Sequence, residues 1–177
     1  MESLRLVRAD MRYAAEIEAF RTEVLSASDD DAFAGCCWLE ECETVEEWLK
    51  LLRRCEAGED GKVPSTTYLA MRGDRLIGIS DLRHHINHPV LGLWGGHIGY
   101  SIRPSERGQG CGKELLRLQL INAAELGLKR VLVTCSQTNP ASERVILTNG
   151  GVFEREVEAD GTVIRRYWID TPALSAH

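Results

Sequence analysis

Long apolar runs are missing from this 177-residue sequence. None approaches the about 20 residues that a membrane-spanning helix needs, and the opening Met1-Glu2-Ser3-Leu4-Arg5 lacks the apolar centre of a signal peptide. No membrane partner and a cytoplasmic location are the expectation. Cys-x-x-Cys pairs are missing as well: the six cysteines are Cys36, Cys37, Cys42, Cys55, Cys111 and Cys135, and reduced thiols are expected in a chain large enough to need no disulfide staples. A zinc site on Cys36, Cys37 and Cys42 has no fourth ligand at tetrahedral spacing, so no metal is expected. There is no surplus of Lys and Arg. The net charge of −6 argues against nucleic acid as an obligatory partner, because a phosphate backbone is normally met by excess positive charge. Internal repeats, low-complexity segments and interdomain linkers do not occur, and 44% apolar residues can fill a core, so one domain over residues 1–177 is expected.

The acidity is local. Asp29, Asp30, Asp31, Glu40, Glu41, Glu43, Glu46 and Glu47 fall in a stretch with no Lys or Arg, and the rest of the chain is net positive. Two readings stay open for the stretch: a solvated loop and helix face, or a surface that attracts a cationic ligand.

Alternation at residues 4–9 predicts a short strand, and Asp10 can cap a helix over residues 11–27 with Ala14, Ile17, Phe20 and Val24 on its apolar face. Residues 28–42 read as a loop. Thr44-Val45-Glu46-Glu47 is a capping box ahead of a second helix that runs to Ala57-Gly58. Strands over residues 66–71 and 75–82 join through Gly73-Asp74, and a loop covers residues 84–94. A further strand over residues 96–102 stops at Pro104, whose ring removes a donor. Leu115, Leu116, Leu118, Leu120, Ile121 and Ala124 mark a third helix that Gly127 ends in a left-handed cap. A buried strand follows over residues 130–135. Asn139 then caps a helix with Pro140 first and Asn149-Gly150-Gly151 at its end. Residues 152–157 and 162–169 pair across Asp160-Gly161. The order predicts an α/β fold, a mixed sheet with helices on both faces.

The glycine-rich turn between strand and third helix offers an anion site, because helix N-terminal amides point outward at the positive dipole end. A P-loop is excluded: Gly112-Lys113 is followed by Glu114, and its first glycine would be Arg107. A dinucleotide fingerprint is excluded as well, since Gly108-x-Gly110 leads to Lys113 and Gly110-x-Gly112 leads to Leu115.

Arg107-Gly108-Gln109-Gly110-Cys111-Gly112 does match Arg/Gln-x-x-Gly-x-Gly/Ala, and through it the chain resembles the GNAT superfamily of acetyltransferases. Gly96-His97-Ile98-Gly99-Tyr100-Ser101-Ile102-Arg103-Pro104 is similar to that family's fourth strand, and residues 139–151 to its last helix. The likeness spans residues 66–157. Arg83-His84, Gly95-Gly96-His97-Ile98-Gly99-Tyr100 and Asn149-Gly150-Gly151 make it most similar to a group of predicted bacterial acetyltransferases. The resemblance implies a mostly antiparallel sheet of about seven strands and acetyl-coenzyme A as co-substrate. It implies direct attack in a ternary complex by a small-molecule or peptide amine.

The resemblance also places residues. Arg107, Gly108, Gln109, Gly110, Cys111, Gly112 and Lys113 would hold the pyrophosphate, with Asn139 touching the coenzyme. Main-chain amides at Tyr100, Ser101 and Ile102 would polarise the acetyl carbonyl. His97 stands where the family often carries an acidic base; an imidazole with a pKa of about 6.5 can take a proton, and a strand histidine with a structural hydrogen bond is the equal alternative. His84 is a candidate lining residue of the acceptor pocket. The family's leaving-group tyrosine position holds Ile146, so that role is left unassigned. Rival readings are an acyl-coenzyme-A-binding module without turnover, and transfer of another acyl group or to an oxygen acceptor. Oligomeric state stays open, a homodimer included.

Overall fold

The structure, a computed structural model, describes residues 2–27 and 32–174. Asp29, Asp30 and Asp31 of the acidic stretch lie outside the described residues. In chain order the elements are β1 (Arg5–Arg8), α1 (Ala14–Ala27), α2 (Val45–Ala57), β2 (Ser65–Arg72), β3 (Arg75–Arg83), β4 (Ile98–Ile102), α3 (Cys111–Glu125), β5 (Arg130–Ser136), α4 (Pro140–Thr148), β6 (Val152–Ala159) and β7 (Thr162–Asp170). Among the described residues no helix is long and apolar enough to cross a membrane.

The caps act where their residue types put them. Thr44 Oγ1 accepts the Glu47 N–H at 3.1 Å, while the Glu47 carboxylate reaches back to the Glu43 N–H at 2.9 Å, one residue before the expected partner. Asp10 accepts the Arg12 N–H, but over a short 3₁₀ turn at Met11–Tyr13 that precedes α1. Gly58 closes α2 in a left-handed conformation. Asp160 and Gly161 both take positive φ, as a tight turn between β6 and β7 requires.

Among the described residues the strands number seven and every ladder is antiparallel, yet they form two sheets rather than one, in the orders β1-β2-β3-β4 and β5-β7-β6. Alternation along β2 sorts the core of the first sheet. Leu69 and Met71 face α1 and α2 with Ile17, Phe20, Val24, Trp48 and Leu49. Ala70 faces the other way, against Leu115 and Cys111 of α3. Leu116, Leu120 and Ala123 of α3 then pack with Ile146 of α4 and Val131, Val133 and Tyr167 of the second sheet. Helices therefore cover both faces, and α3 belongs to both halves of the molecule.

Residues 84–94, expected as a featureless loop, end in a π-turn at Leu91–Gly95. Long-range donors fold it: Arg166 of β7 gives a guanidinium N–H to Gly92 O at 2.6 Å, Thr134 of β5 binds Trp94 O, and Arg83 binds Gly95 O. Nothing local in the sequence announces those partners.

Candidate active site

β4 and β5 meet where the sheets divide. The His97 N–H donates to Leu132 O at 2.8 Å, and the Leu132 N–H donates to Nδ1 of the His97 ring, also at 2.8 Å. The ladder goes no further, because β4 belongs to the first sheet and β5 to the second. Beyond this junction β4 and β5 are unpaired among the described residues, which leaves a gap in the ladder.

The register of β4 decides which amides face that gap. The Arg83 N–H bonds to His97 O and the Arg103 N–H to Ile77 O, so the odd-numbered residues of the strand turn their main chain toward β3. Ile98, Tyr100 and Ile102 turn theirs the other way, into the gap. Of the three amides expected to polarise a carbonyl, Tyr100 and Ile102 are so directed. Ser101 is not: its main chain faces β3 opposite Ile79, and its hydroxyl donates to Ala34 O at 2.7 Å. The same logic on β5 turns Leu132, Thr134 and Ser136 toward the gap, since the Gln137 N–H bonds β7 at Val163 O.

The chain runs from β4 through residues 103–110 to the start of α3. Pro104–Glu106 form a 3₁₀ turn, and Gly108 and Gly110 follow at φ +74° and +80°, a region that side-chain-bearing residues rarely enter. A Cβ at either glycine would meet nothing within 4 Å, so the space beside both is open. Cys111, Gly112 and Lys113 are the first residues of α3, whose N–H groups have no partner inside the helix. Cys111 buries its side chain in the core and contributes its main chain. Gly112 lets α3 approach α4, because its Cβ would lie 3.2 Å from Val145. The Arg107 Nε donates to Ile102 O at 3.1 Å, and the Gln109 amide donates to Ser105 O at 3.3 Å. Asn139 caps α4 by accepting the Ser142 N–H at 3.1 Å. A turn of this shape, open beside both glycines and at a helix N-terminus, could hold a diphosphate.

Residues that carry no local signal brace the turn from behind. Arg103, buried, gives Nε to Glu23 at 2.8 Å, Nη1 to Glu16 at 2.9 Å and Nη1 to Leu76 O at 2.9 Å. Glu23 also accepts the Ser105 N–H. Glu106 pairs with Arg75 at 2.7 Å and Arg72 at 3.6 Å. No local pattern in the sequence signals these contacts, since each partner lies tens of residues away.

His97 has a structural task. With Nδ1 accepting the Leu132 N–H, the neutral ring carries its proton on Nε2 and has no lone pair to spare for a substrate. Burial, with Arg83 and His85 nearby, pushes its pKa down to about 4, so the ring is neutral at pH 7. A hydrogen bond of this kind is what the structural alternative for this histidine expects. His84 follows the end of β3; its main-chain N–H donates to Pro64 O at 2.8 Å and its Nε2 lies 2.8 Å from Thr66 Oγ1. Tyr100 reaches across to α4, where its hydroxyl lies 2.9 Å from Ser142 Oγ, one turn ahead of the buried Ile146; burial raises the phenol pKa to about 12.

The other face of β4 carries residues 32–38. A Cβ on Gly35 would sit 2.2 Å from the carbonyl of Gly99, so only a glycine allows this contact. In the acidic stretch, Glu47 is spent on the cap described above, and Glu46 pairs with Lys50 at 2.8 Å. Asp81, buried, accepts from Thr67 and pairs with Arg83 at 3.2 Å.

Known structures share this fold. Ribosomal L7/L12 α-N-protein acetyltransferase RimL, solved with coenzyme A in a disulfide to one of its cysteines, superposes with a TM-score of 0.65 at 22% identity over 96% of each chain. YncA of Salmonella typhimurium, a putative acetyltransferase solved with acetyl-coenzyme A, gives 0.65 at 15% identity over 98% of this chain and 96% of that one. A spermidine N-acetyltransferase SpeG chimera from Vibrio cholerae and hSSAT gives 0.62 at 17% over 95% and 96%. No curated protein sequence matches. Residues 6–152 match the acetyltransferase (GNAT) domain family. With that match over most of its length, the chain belongs to the GNAT acetyltransferase family.

Proposed function

We propose that this protein transfers the acetyl group of acetyl-coenzyme A to a primary amine within one ternary complex. The observation that carries the proposal is the continuity of the β4 edge with the glycine turn: gap-facing amides at Tyr100 and Ile102 run directly into the N-terminus of α3. Acetyl-coenzyme A supplies an activated thioester when bound. Residues 107–113 and Asn139 are proposed to hold its pyrophosphate and adenosine-proximal part, while the two β4 amides stabilise negative charge as it develops on the acetyl oxygen.

An alkylamine has a pKa of about 10.4, so it must lose a proton before attack. His97 is proposed to keep the two strands in register rather than take that proton. Turnover then follows the neutral fraction of the amine and rises with pH, with no inflection at the imidazole. Tyr100, neutral and hydrogen-bonded to Ser142 at 2.9 Å, is proposed as the proton donor to the departing thiolate, the task that Ile146 cannot perform. The acceptor approaches from the side of residues 32–38 and Asp81. Relatives with this fold include enzymes whose acceptors are a ribosomal protein and spermidine, which supports an amine without choosing between protein and metabolite.

Binding without turnover is the second reading, favoured by the buried Ile146 at the tyrosine position. A mass-spectrometric screen of amine mixtures separates the two: acetyl-coenzyme-A-dependent gain of an acetyl group is expected. Calorimetric binding of coenzyme A with no acetylated product in the screen would favour the second reading, and absence of binding would remove both.

A further inference from the structure

Cys37 and Cys55 are 18 residues apart and belong to different segments, the turn ahead of α2 and its last turn, yet their sulfurs lie 3.4 Å from each other. Cys55 is 3% exposed; Cys37 is half-buried and so reachable from solvent. We propose that Cys37 and Cys55 form a disulfide-forming modification site that a hydroperoxide oxidises.

The surroundings hold the pair ready. The Trp48 indole N–H donates to Cys36 O at 2.9 Å and Cys37 O at 3.2 Å, which pins the main chain of the turn to α2. Cys37 and Trp38 take positive φ of 49° and 58°, a conformation that non-glycine residues adopt at a cost and that turns the Cys37 side chain back toward the helix. The Lys62 ammonium lies 5.0 Å from the ring of Trp38, the residue after Cys37. The hydrogen bond between the thiols lowers the pKa of Cys55, helped by Lys62, and raises that of Cys37, so one thiolate forms more readily than an isolated thiol would.

The chemistry balances with a hydroperoxide as oxidant. A thiolate of the pair attacks one peroxide oxygen, the O–O bond breaks, and hydroxide leaves as water after taking a proton, which gives a sulfenic acid. The neighbouring sulfur then displaces the sulfenic oxygen as a second water and forms the S–S bond. The peroxide gains two electrons and the two sulfurs lose them. Closing from 3.4 Å to a bonded length of about 2.0 Å draws residues 37–38 toward α2. Gly35 rests on the Gly99 carbonyl and Ala34 O holds the Ser101 hydroxyl, so the pull reaches β4.

The test treats the reduced full-length protein with hydrogen peroxide and maps peptides without reduction. The expected result is one cross-linked pair containing Cys37 and Cys55, with Cys36, Cys42, Cys111 and Cys135 recovered as thiols. Amide exchange at residues 34–38 is expected to slow several-fold in the oxidised form. Cys37→Ser and Cys55→Ser each abolish the cross-link; Cys37, at a half-buried position, gives the variant that keeps the fold. Two free thiols after oxidation, separate sulfinic acids, or a cross-link to another cysteine would each overturn the proposal. None of these readouts depends on turnover.

Discussion

On one face of β4 the chain offers residues 107–112, a turn made of main chain and glycine; on the other it lays down residues 32–38, a turn made of long-range side-chain contacts. The first is open and shaped for a ligand, with no atom beside Gly108 or Gly110. The second is closed and shaped for the protein itself, with Gly35 pressed on Gly99 and the Trp48 indole holding Cys36 and Cys37. Glycine therefore means opposite things on the two sides: room for a guest in one, room for the strand in the other.

Substitution at each glycine breaks the comparison in a different readout. Gly35→Ala is expected to cost most, about 3 kcal/mol or more of folding stability by denaturant titration, because its Cβ would collide with main chain at a positive φ. The next largest effect lies at the junction between the two faces. The His97 pKa is depressed in the folded state, so stability is present above the unfolded value of about 6.5 and falls away as pH drops toward the folded value of about 4. The swing is at most about 3 kcal/mol, and His97→Asn, which keeps an acceptor for the Leu132 N–H at the position of Nδ1, is expected to flatten it. The same variant sharpens the catalytic reading: kcat/KM is expected to fall only a few-fold, whereas a loss of about 100-fold or more at unchanged stability would restore a base role.

Gly110→Val is expected to leave the fold intact and weaken coenzyme A binding about tenfold, read by calorimetry, since the left-handed main chain becomes strained while no atom is displaced. Tyr100→Phe, expected to lower kcat about tenfold with coenzyme affinity unchanged, checks the proton donor. Smallest is Thr44→Ala, which removes one cap and is expected to cost about 1 kcal/mol, with no change in coenzyme affinity.

The two faces also differ in how far they could be read from residues alone. The glycine turn, the Asn139–Pro140 start of α4, the capping box and both hairpin turns are local: a few adjacent residue types fix each conformation, and the structure follows them. The resemblance to GNAT enzymes rests on the glycine turn together with the stretch before it and the last helix, over residues 66–157. What escaped depends on partners far along the chain. Arg103 meets Glu16 and Glu23 across 87 and 80 residues, and the Leu91–Gly95 turn waits for Arg166. The division into two sheets escaped for a related reason, because periodicity describes each strand and not whether its neighbour continues the ladder. His97 shows the limit at a single residue. Its position on the strand was legible, but its task depended on where Leu132 would lie.

The arginines behind the anion turn have already been claimed. Arg103 is matched by Glu16 and Glu23, and Arg72 and Arg75 by Glu106. In the complex proposed above, much of the attraction for a diphosphate then falls to fixed dipoles of the main chain, with Arg107 and Lys113 beside them, and ions in solution screen such dipoles less than they screen mobile surface charge. Recognition built in this way favours outline over net charge, so affinity is expected to change little with ionic strength and inorganic phosphate to compete poorly.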